Sequence, residues 1–365
     1  MKGNDMRHIL DSDFKNGLKR VGAAACIAML CAATLGLPLG LATSQAARAA
    51  PEVTKLDFWA VKDAQESASI VVASEKGFFK EEGLDLTIKW IVSGTDTPSL
   101  AASGQILLTG ESAYIDGVLR DKGVDMRYLM PMSNIGGSQM VVLGPNTVVN
   151  SPKDLEGKKI GMAAGAGVAM AITSMCEDKG VDCSKIKLIN LQPPDQIPAL
   201  LRGDIDAMAI WNPYALAGVK AGGRVYFTGN KSYIDGQEQS VHYMYLDGGL
   251  IVNGPFLMKN PETVKAVMRA IIKATNYINS HSRKEIAAIL SGPLEIPADD
   301  LEQILKANIY SNAVDDTTVG ELTKLLAYGG RPDIGWTGKV YVPSEVYDLH
   351  LLKEVAPDLV TAKGF

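Results

Sequence analysis

The chain has 365 residues, with 36 Lys and Arg against 41 Asp and Glu, a net charge of −5 and 47% hydrophobic residues. That length holds two lobes of ordinary domain size. The acidic balance argues against a nucleic-acid footprint.

The first segment reads as an address. Lys15, Lys19 and Arg20 precede an apolar run from Val21 to about Leu41, and Ala47-Arg48-Ala49 follows as an A-x-A cleavage site. This is the layout of a secretory signal peptide over residues 1–49, with an uncleaved anchor as the alternative. Gly36, Pro38 and Gly40 interrupt the run and favour processing; Ala46 is a second cleavage candidate. Neither Cys26 nor Cys31 follows a lipoprotein box, and no later run of 18 apolar residues offers a membrane span. Cleavage after Ala49 removes six basic and three acidic residues, taking the net charge from −5 to −8 over the remaining 316 residues.

From Val53 the pattern alternates. A strand over Val53–Trp59 precedes a helix over Glu66–Lys76, whose Ile70, Val71 and Ala73 form an apolar stripe. A turn at Gly77–Gly83 leads into a strand over Leu84–Ile91. Asp96 or Thr97 then caps a short helix with Pro98 at its start. Further strands are expected at Leu107–Gly110, Tyr128–Met130, Met140–Leu143, Lys158–Met162, Ile186–Asn190, Ala207–Ile210 and Arg224–Phe227. Strands separated by helical patterns imply mainly parallel sheets. From Pro261 the texture turns helical, over Pro261–His281, Ser282–Leu290, Ala298–Ala307 and Val319–Tyr328. These helices are expected to complete the first lobe.

One unit occurs twice. Pro98-Ser99-Leu100-Ala101-Ala102-Ser103-Gly104-Gln105-Ile106 is echoed by Pro198-Ala199-Leu200-Leu201-Arg202-Gly203-Asp204-Ile205. The first copy leads to Glu111-Ser112 and the second to Trp211-Asn212. Polar or aromatic residues at the carboxyl ends of two strands suggest two lobes facing one cleft, since such strand ends are where open α/β sheets bind ligands. The expected fold is therefore α/β with two lobes, each a mainly parallel sheet flanked by helices. Its boundaries are 50–137 and 248–365 for the first lobe and 138–247 for the second. Gly136-Gly137-Ser138 and Leu246-Asp247-Gly248-Gly249 are the candidate crossings, with paired glycines giving hinge freedom.

Catalytic signatures are missing. Beyond residue 49 there are three histidines, His242, His281 and His350, and none sits in a nucleophile motif. There is no G-x-S-x-G, Walker A or H-E-x-x-H. Gly161-Met162-Ala163-Ala164-Gly165-Ala166-Gly167 departs from the dinucleotide spacing. No metal and no cofactor are expected. Cys176 and Cys183 are either joined in an oxidising compartment or left as free thiols; a zinc site lacks a nearby histidine.

A binding site is easier to compose. Gly165, Ala166, Gly167 and Val168 open the helix running to Lys179, where free N–H groups and the helix dipole attract anions. Glu111 at a strand mouth suits an ammonium, an amidine or an N–H donor, with Ser112 as an alternative cap for the following helix. Trp211 offers a flat platform, and Asn212 both donors and acceptors.

Several segments together resemble the periplasmic solute-binding proteins of ABC importers in the taurine, aliphatic sulfonate and nitrate group, related to thiamine-precursor binders. They are Glu75-Lys76-Gly77-Phe78-Phe79-Lys80-Glu81-Glu82-Gly83-Leu84, Ala101-Ala102-Ser103-Gly104-Gln105, Asp154-Leu155-Glu156-Gly157-Lys158-Lys159-Ile160-Gly161, Leu191-Gln192-Pro193-Pro194 through Trp211-Asn212-Pro213-Tyr214, and Gly254-Pro255-Phe256-Leu257 with Asn260-Pro261-Glu262-Thr263-Val264. The resemblance implies a type II clamshell that closes on a small organic solute of taurine or sulfonate type. It also implies a periplasmic location, delivery to a membrane permease driven by an ATPase, and no enzymatic activity. A monomer is expected.

The chain departs from that group where Ser and Thr hydroxyls usually face the sulfonate; here the stretch is Gly165 to Met170. An amine-bearing or nitrogen-ring solute, such as a thiamine-precursor pyrimidine, is the alternative. A pyrimidine-synthesis-like enzyme and a sensor subunit are more remote readings. The expected ligand set is Gln65, Thr95, Glu111 and Ser112 from the first lobe and Gly165, Ala166, Gly167, Val168, Trp211 and Asn212 from the second. Ser138 and Asp247 stand near the crossings.

Overall fold

The computed structural model describes residues 49–331 and 338–365. The expected leader lies outside the described residues except for Ala49. Among the described residues no helix is long and apolar enough to cross a membrane.

The chain starts with β1 (Lys55–Val61), α1 (Ala64–Glu75), the short α2 (Phe78–Glu81) and β2 (Asp85–Ile91). It continues through α3 (Thr97–Ala102), β3 (Leu108–Ser112), α4 (Ala113–Asp121) and β4 (Met126–Asn134). Next come β5 (Gln139–Leu143), β6 (Lys159–Met162), α5 (Ala169–Lys179), β7 (Lys187–Asn190), α6 (Pro193–Arg202), β8 (Ala207–Trp211), α7 (Tyr214–Lys220) and β9 (Arg224–Thr228). The two-residue strands β10 (Lys231–Ser232) and β11 (Gln239–Ser240) precede β12 (Asp247–Asn253). A helical run follows: α8 (Gly254–Lys259), α9 (Pro261–Ser280), α10 (Arg283–Leu294) and α11 (Ala298–Ala307). The chain ends with β13 (Ile309–Tyr310), α12 (Asp316–Gly329), α13 (Pro343–Val346) and α14 (His350–Val355).

Two sheets result, ordered β13-β4-β12-β3-β1-β2 and β11-β10-β9-β5-β8-β6-β7. In the first, β2, β1 and β3 run parallel, and β12, β4 and β13 are added antiparallel to their neighbours. In the second, β7, β6 and β8 are parallel, and β5 and β9 are antiparallel. The expected two-sheet α/β fold is thus present. Each sheet has a parallel half of β-α-β units and an antiparallel half containing the strands that carry the chain from one sheet to the other.

Local sequence explains the elements that frame the cleft. Asp63 caps α1 by accepting the Glu66 N–H at 3.0 Å, and Ser112 caps α4 through the Ile115 N–H at 3.4 Å. Phe58, Ile70, Val71, Leu108 and Tyr128 are fully buried where α1 meets the first sheet. Each such side chain contributes roughly 1.5–3 kcal/mol by leaving water. The first sheet's outer layer includes α9, whose Thr275 hydroxyl lies 3.0 Å from that of Ser69 on α1. The last long helix, α12, starts three residues earlier than the apolar pattern predicts, because Asp315 accepts the Thr318 N–H at 2.8 Å. In the second sheet, Cys176 at the end of α5 and Cys183 are joined as a disulfide, with Cα atoms 5.8 Å apart.

The chain passes between sheets at 135–138 and again before β12. The two passages lie side by side, with the Ile135 N–H donating to the Leu246 carbonyl at 2.8 Å. Crowding gives their glycines a reason that the sequence does not announce. A Cβ on Gly137 would lie 2.2 Å from the Ala307 carbonyl oxygen, and one on Gly249 2.1 Å from the Tyr128 ring. Neither glycine adopts a positive φ.

Candidate functional site

A small cleft opens between the carboxyl ends of the two parallel halves. The first sheet's side supplies Val61, Gln65 and Glu66 around the start of α1, Gly94 and Thr95 ahead of α3, and Glu111, Ser112 and Ile115 at the β3–α4 junction. The other side supplies Gln139 from β5, Gly165 to Gly167 before α5, and Trp211 from β8. Ile135 and Leu246 come from the two passages.

Glu111 is 1% exposed. Its Oε1 accepts the Thr97 hydroxyl at 2.7 Å and its Oε2 the Ser112 N–H at 3.0 Å. Burial pushes its carboxyl up to about 7, against the downward pull of those two hydrogen bonds. Ser112 takes the helix-capping role, so Glu111 is free to face the cavity. Glu66, one helical turn before Ile70, is 6% exposed. Burial first, then the neighbouring Glu111 and Asp63 charges, hold its carboxyl well above the ordinary range. Burial likewise raises Asp63, to about 7, although it accepts from the Glu66 N–H and, at 3.0 Å, from Gln65 Nε2. The same Gln65 accepts Gln139 Nε2 at 3.0 Å, which ties α1 to β5 across the cavity. No Lys, Arg or His is among the described residues that line it.

The second wall is mostly backbone. The Ala166, Ala169 and Met170 N–H groups are taken by carbonyls of the same turn. Gly165 has φ +80°, a conformation that favours glycine. Trp211 is 7% exposed and lines the cavity. It pairs with Gln139 in the β5–β8 register.

Of the twelve residues expected to hold ligand, Gln65, Thr95, Glu111, Ser112, Gly165, Ala166, Gly167 and Trp211 line this cavity. Four lie elsewhere. Val168 is fully buried beneath the turn. Asn212 donates its side-chain amide to the Ser138 hydroxyl at 3.4 Å and accepts the Leu216 N–H at 3.2 Å, so both residues brace the corner after β8. Asp247 accepts the Tyr347 hydroxyl at 2.6 Å, and burial lifts its carboxyl to about 6.

Glu66 and Gln139 were missed by the sequence reading. The signal for Glu66 was available: it sits four residues before Ile70 on the apolar stripe, where a carboxylate has no reason to be unless it meets a partner. Gln139 becomes visible only once β5 is paired with β8.

This geometry agrees with the family comparison, in which the NMT1/THI5 like model matches residues 64–284. The chain belongs to the NMT1/THI5 like family. The match runs from α1 into α10 and so includes every cavity residue except Val61. The taurine-binding periplasmic protein of Escherichia coli is 25% identical over 261 residues, spanning 69% of this chain and 77% of that protein. Among solved structures, the periplasmic aliphatic sulphonate binding protein SsuA from Escherichia coli aligns with a TM-score of 0.61 at 18% identity. That alignment covers 80% of this chain and 93% of SsuA. The periplasmic nitrate-binding protein NrtA from Synechocystis PCC 6803 gives 0.63 at 19% identity, covering 85% and 90%. These neighbours share the fold, and those named here are binding proteins.

Proposed function

We propose that this protein is the solute-binding component of an ABC importer, and that its solute carries a protonated amine or the N–H donors of a nitrogen-containing ring. The observation that carries the reading is a buried cavity with two carboxylates, Glu66 and Glu111, and no basic side chain among its described lining residues. Such a wall gains most from a cation or an N–H donor, which returns the two carboxyls to their charged form. The relative named for binding taurine in the periplasm supports the solute-binding role, and its solute carries an ammonium.

In this reading, residues 50–137 and 248–365 form one lobe and 138–247 the other. The solute touches both only when they are closed, so binding moves the population toward the closed form. The closed protein then docks on a membrane permease driven by an ATPase. The chain is exported by its leader, works in the periplasm as a monomer and carries out no chemistry on the solute.

A second reading rests on the α5 turn. A zwitterion of taurine type fits if its ammonium meets the glutamates and its sulfonate meets the backbone at Gly165–Gly167, with amides standing in for absent hydroxyls. A thermal-shift screen separates the two, using taurine, alkanesulfonates, nitrate, pyrimidine amines and small cationic amines. Ligand at one hundred times its dissociation constant adds about 2.7 kcal/mol. A shift with amines and none with sulfonates supports the first reading. A shift with taurine supports the second, and a shift with nitrate or simple alkanesulfonates alone rejects both.

A further inference from the structure

We propose that the solute is a small planar cation of amidinium or guanidinium type, clamped between Glu66 and Glu111, with Glu66 as the residue that selects it. This rests on the amine reading above and narrows it.

The two carboxylates differ in how far they are satisfied. Both oxygens of Glu111 are already oriented, one by Thr97 and one by the Ser112 N–H. The Glu66 carboxylate has no hydrogen-bond partner among the described residues, yet the residue is 94% buried and lines the cavity. Left without a partner such a group keeps its proton; a cation beside it in the cavity would let it ionise. The other ionisable groups acting on this pair are Asp63, Asp96 and Tyr128, with Tyr214 and Tyr310 near Asp63 and Arg283 beyond Tyr310. No basic side chain acts directly on Glu66 or Glu111. A metal ion is a poor candidate to supply the positive charge. Among the described residues no group of three or more His, Cys, Asp or Glu side chains could hold one.

Shape narrows the choice further. Gly94 brings backbone against the Glu111 carboxylate; a Cβ there would lie 2.6 Å from Oε1. The facing turn at Gly165–Gly167 also has almost no side chain, and Trp211 adds a flat ring. Val61, Ile115 and Ile135 close the remainder with hydrocarbon. A small space with carboxyl groups on one wall and an indole on the other suits a compact fork of N–H donors. Such a cation pairs with carboxylates bidentately, stacks on aromatic rings and is more weakly hydrated than an ammonium. Its arrival reverses the field that favours the protonated carboxyls, so binding expels a proton to solvent.

The test is calorimetry on the purified protein with guanidinium chloride, acetamidinium, urea, methylammonium and taurine, in buffers of different ionisation heat. Urea is the decisive control, because it has nearly the shape of guanidinium without the charge. We expect saturable binding of a planar cation and affinity for urea weaker by at least about tenfold. Proton release should accompany cation binding near pH 7. Glu66→Gln should lower cation affinity by about tenfold or more and leave the ligand-free melting midpoint unchanged or higher. Glu66→Asp should recover part of the affinity. Equal binding of urea and guanidinium, or a Glu66→Gln variant that binds the cation like wild type, overturns the inference. Methylammonium binding where neither planar cation does overturns it while the amine reading stands. Taurine binding alone, without any simple cation, overturns both.

Discussion

The two walls of the cavity are made of different material. The wall on the first sheet is built of side chains: two buried carboxylates, a carboxamide and a threonine, held by capped helix starts and a strand end. The wall on the second sheet is backbone at Gly165–Gly167, one indole and the Gln139 carboxamide. In the proposed function charge is read by the first wall and shape mainly by the second, so changes on the two sides should fail in different ways.

The largest expected effect breaks the shape-reading wall. Trp211→Ala removes a nearly buried indole at the end of a fully buried strand. It should cost about 3 kcal/mol or more of stability and lower affinity for every ligand alike, read by chemical denaturation and calorimetry. A loss confined to charged ligands would show that the indole recognises charge as well.

Changes on the charge-reading wall should carry a pH signature. The folded Glu111 carboxyl sits near 7, above its unfolded value near 4.5. Its protonated form is thus favoured by folding. The associated stability is fully present below about pH 4.5 and is lost as pH rises toward about 7, a change on the order of a few kcal/mol. Thermal melts of the ligand-free protein should decline over that window, and Glu111→Gln should flatten the decline. An unchanged slope would place the titration elsewhere, with Asp63 the first alternative.

The disulfide sharpens the comparison from the other side, since it lies wholly within the 138–247 segment. A Cys176→Ser and Cys183→Ser variant should lose roughly 2–3 kcal/mol in the chain-entropy view, seen as a lower melting midpoint. Ligand preference should stay the same, because neither cysteine lines the cavity. The smallest effect belongs to exposed ion pairs that bridge the two segments, Lys220 with Asp300 and Arg331 with Glu177 at 3.1 Å. Lys220→Ala should change stability by less than about 1 kcal/mol and soften the dependence of binding on salt.

How much of this was legible in the sequence depends on which physical signal each residue carries. Alternating strand and helix patterns give the two-sheet fold, and the repeated helix–Gly–strand unit points to Glu111 and Trp211 at matching strand ends. Asn212 and Ser138 have the right polarity for ligand contact, but the corner they brace forms only when β5 pairs with β8. Asp247 is claimed by Tyr347, one hundred residues away, a partnership no local pattern announces. Glu66 was hidden by the opposite error. A glutamate in the first turn of a helix reads as ordinary dipole complement, and only its position on the buried stripe marks it as a cavity group. The glycine pairs at the passages look like joints in the sequence; the structure explains them by the close approach of Ala307 and Tyr128.

The side-by-side passages also have a mechanical consequence. If one sheet turns against the other, the two neighbouring ribbons, joined by the Ile135–Leu246 hydrogen bond, would serve as its axis, and the arc swept by each group would grow with its lever arm. Gln139 follows directly on one ribbon, so its tie to Gln65 has a short lever. Groups farther from the axis would travel more for the same twist, and a few degrees there can decide whether a solute is held or released.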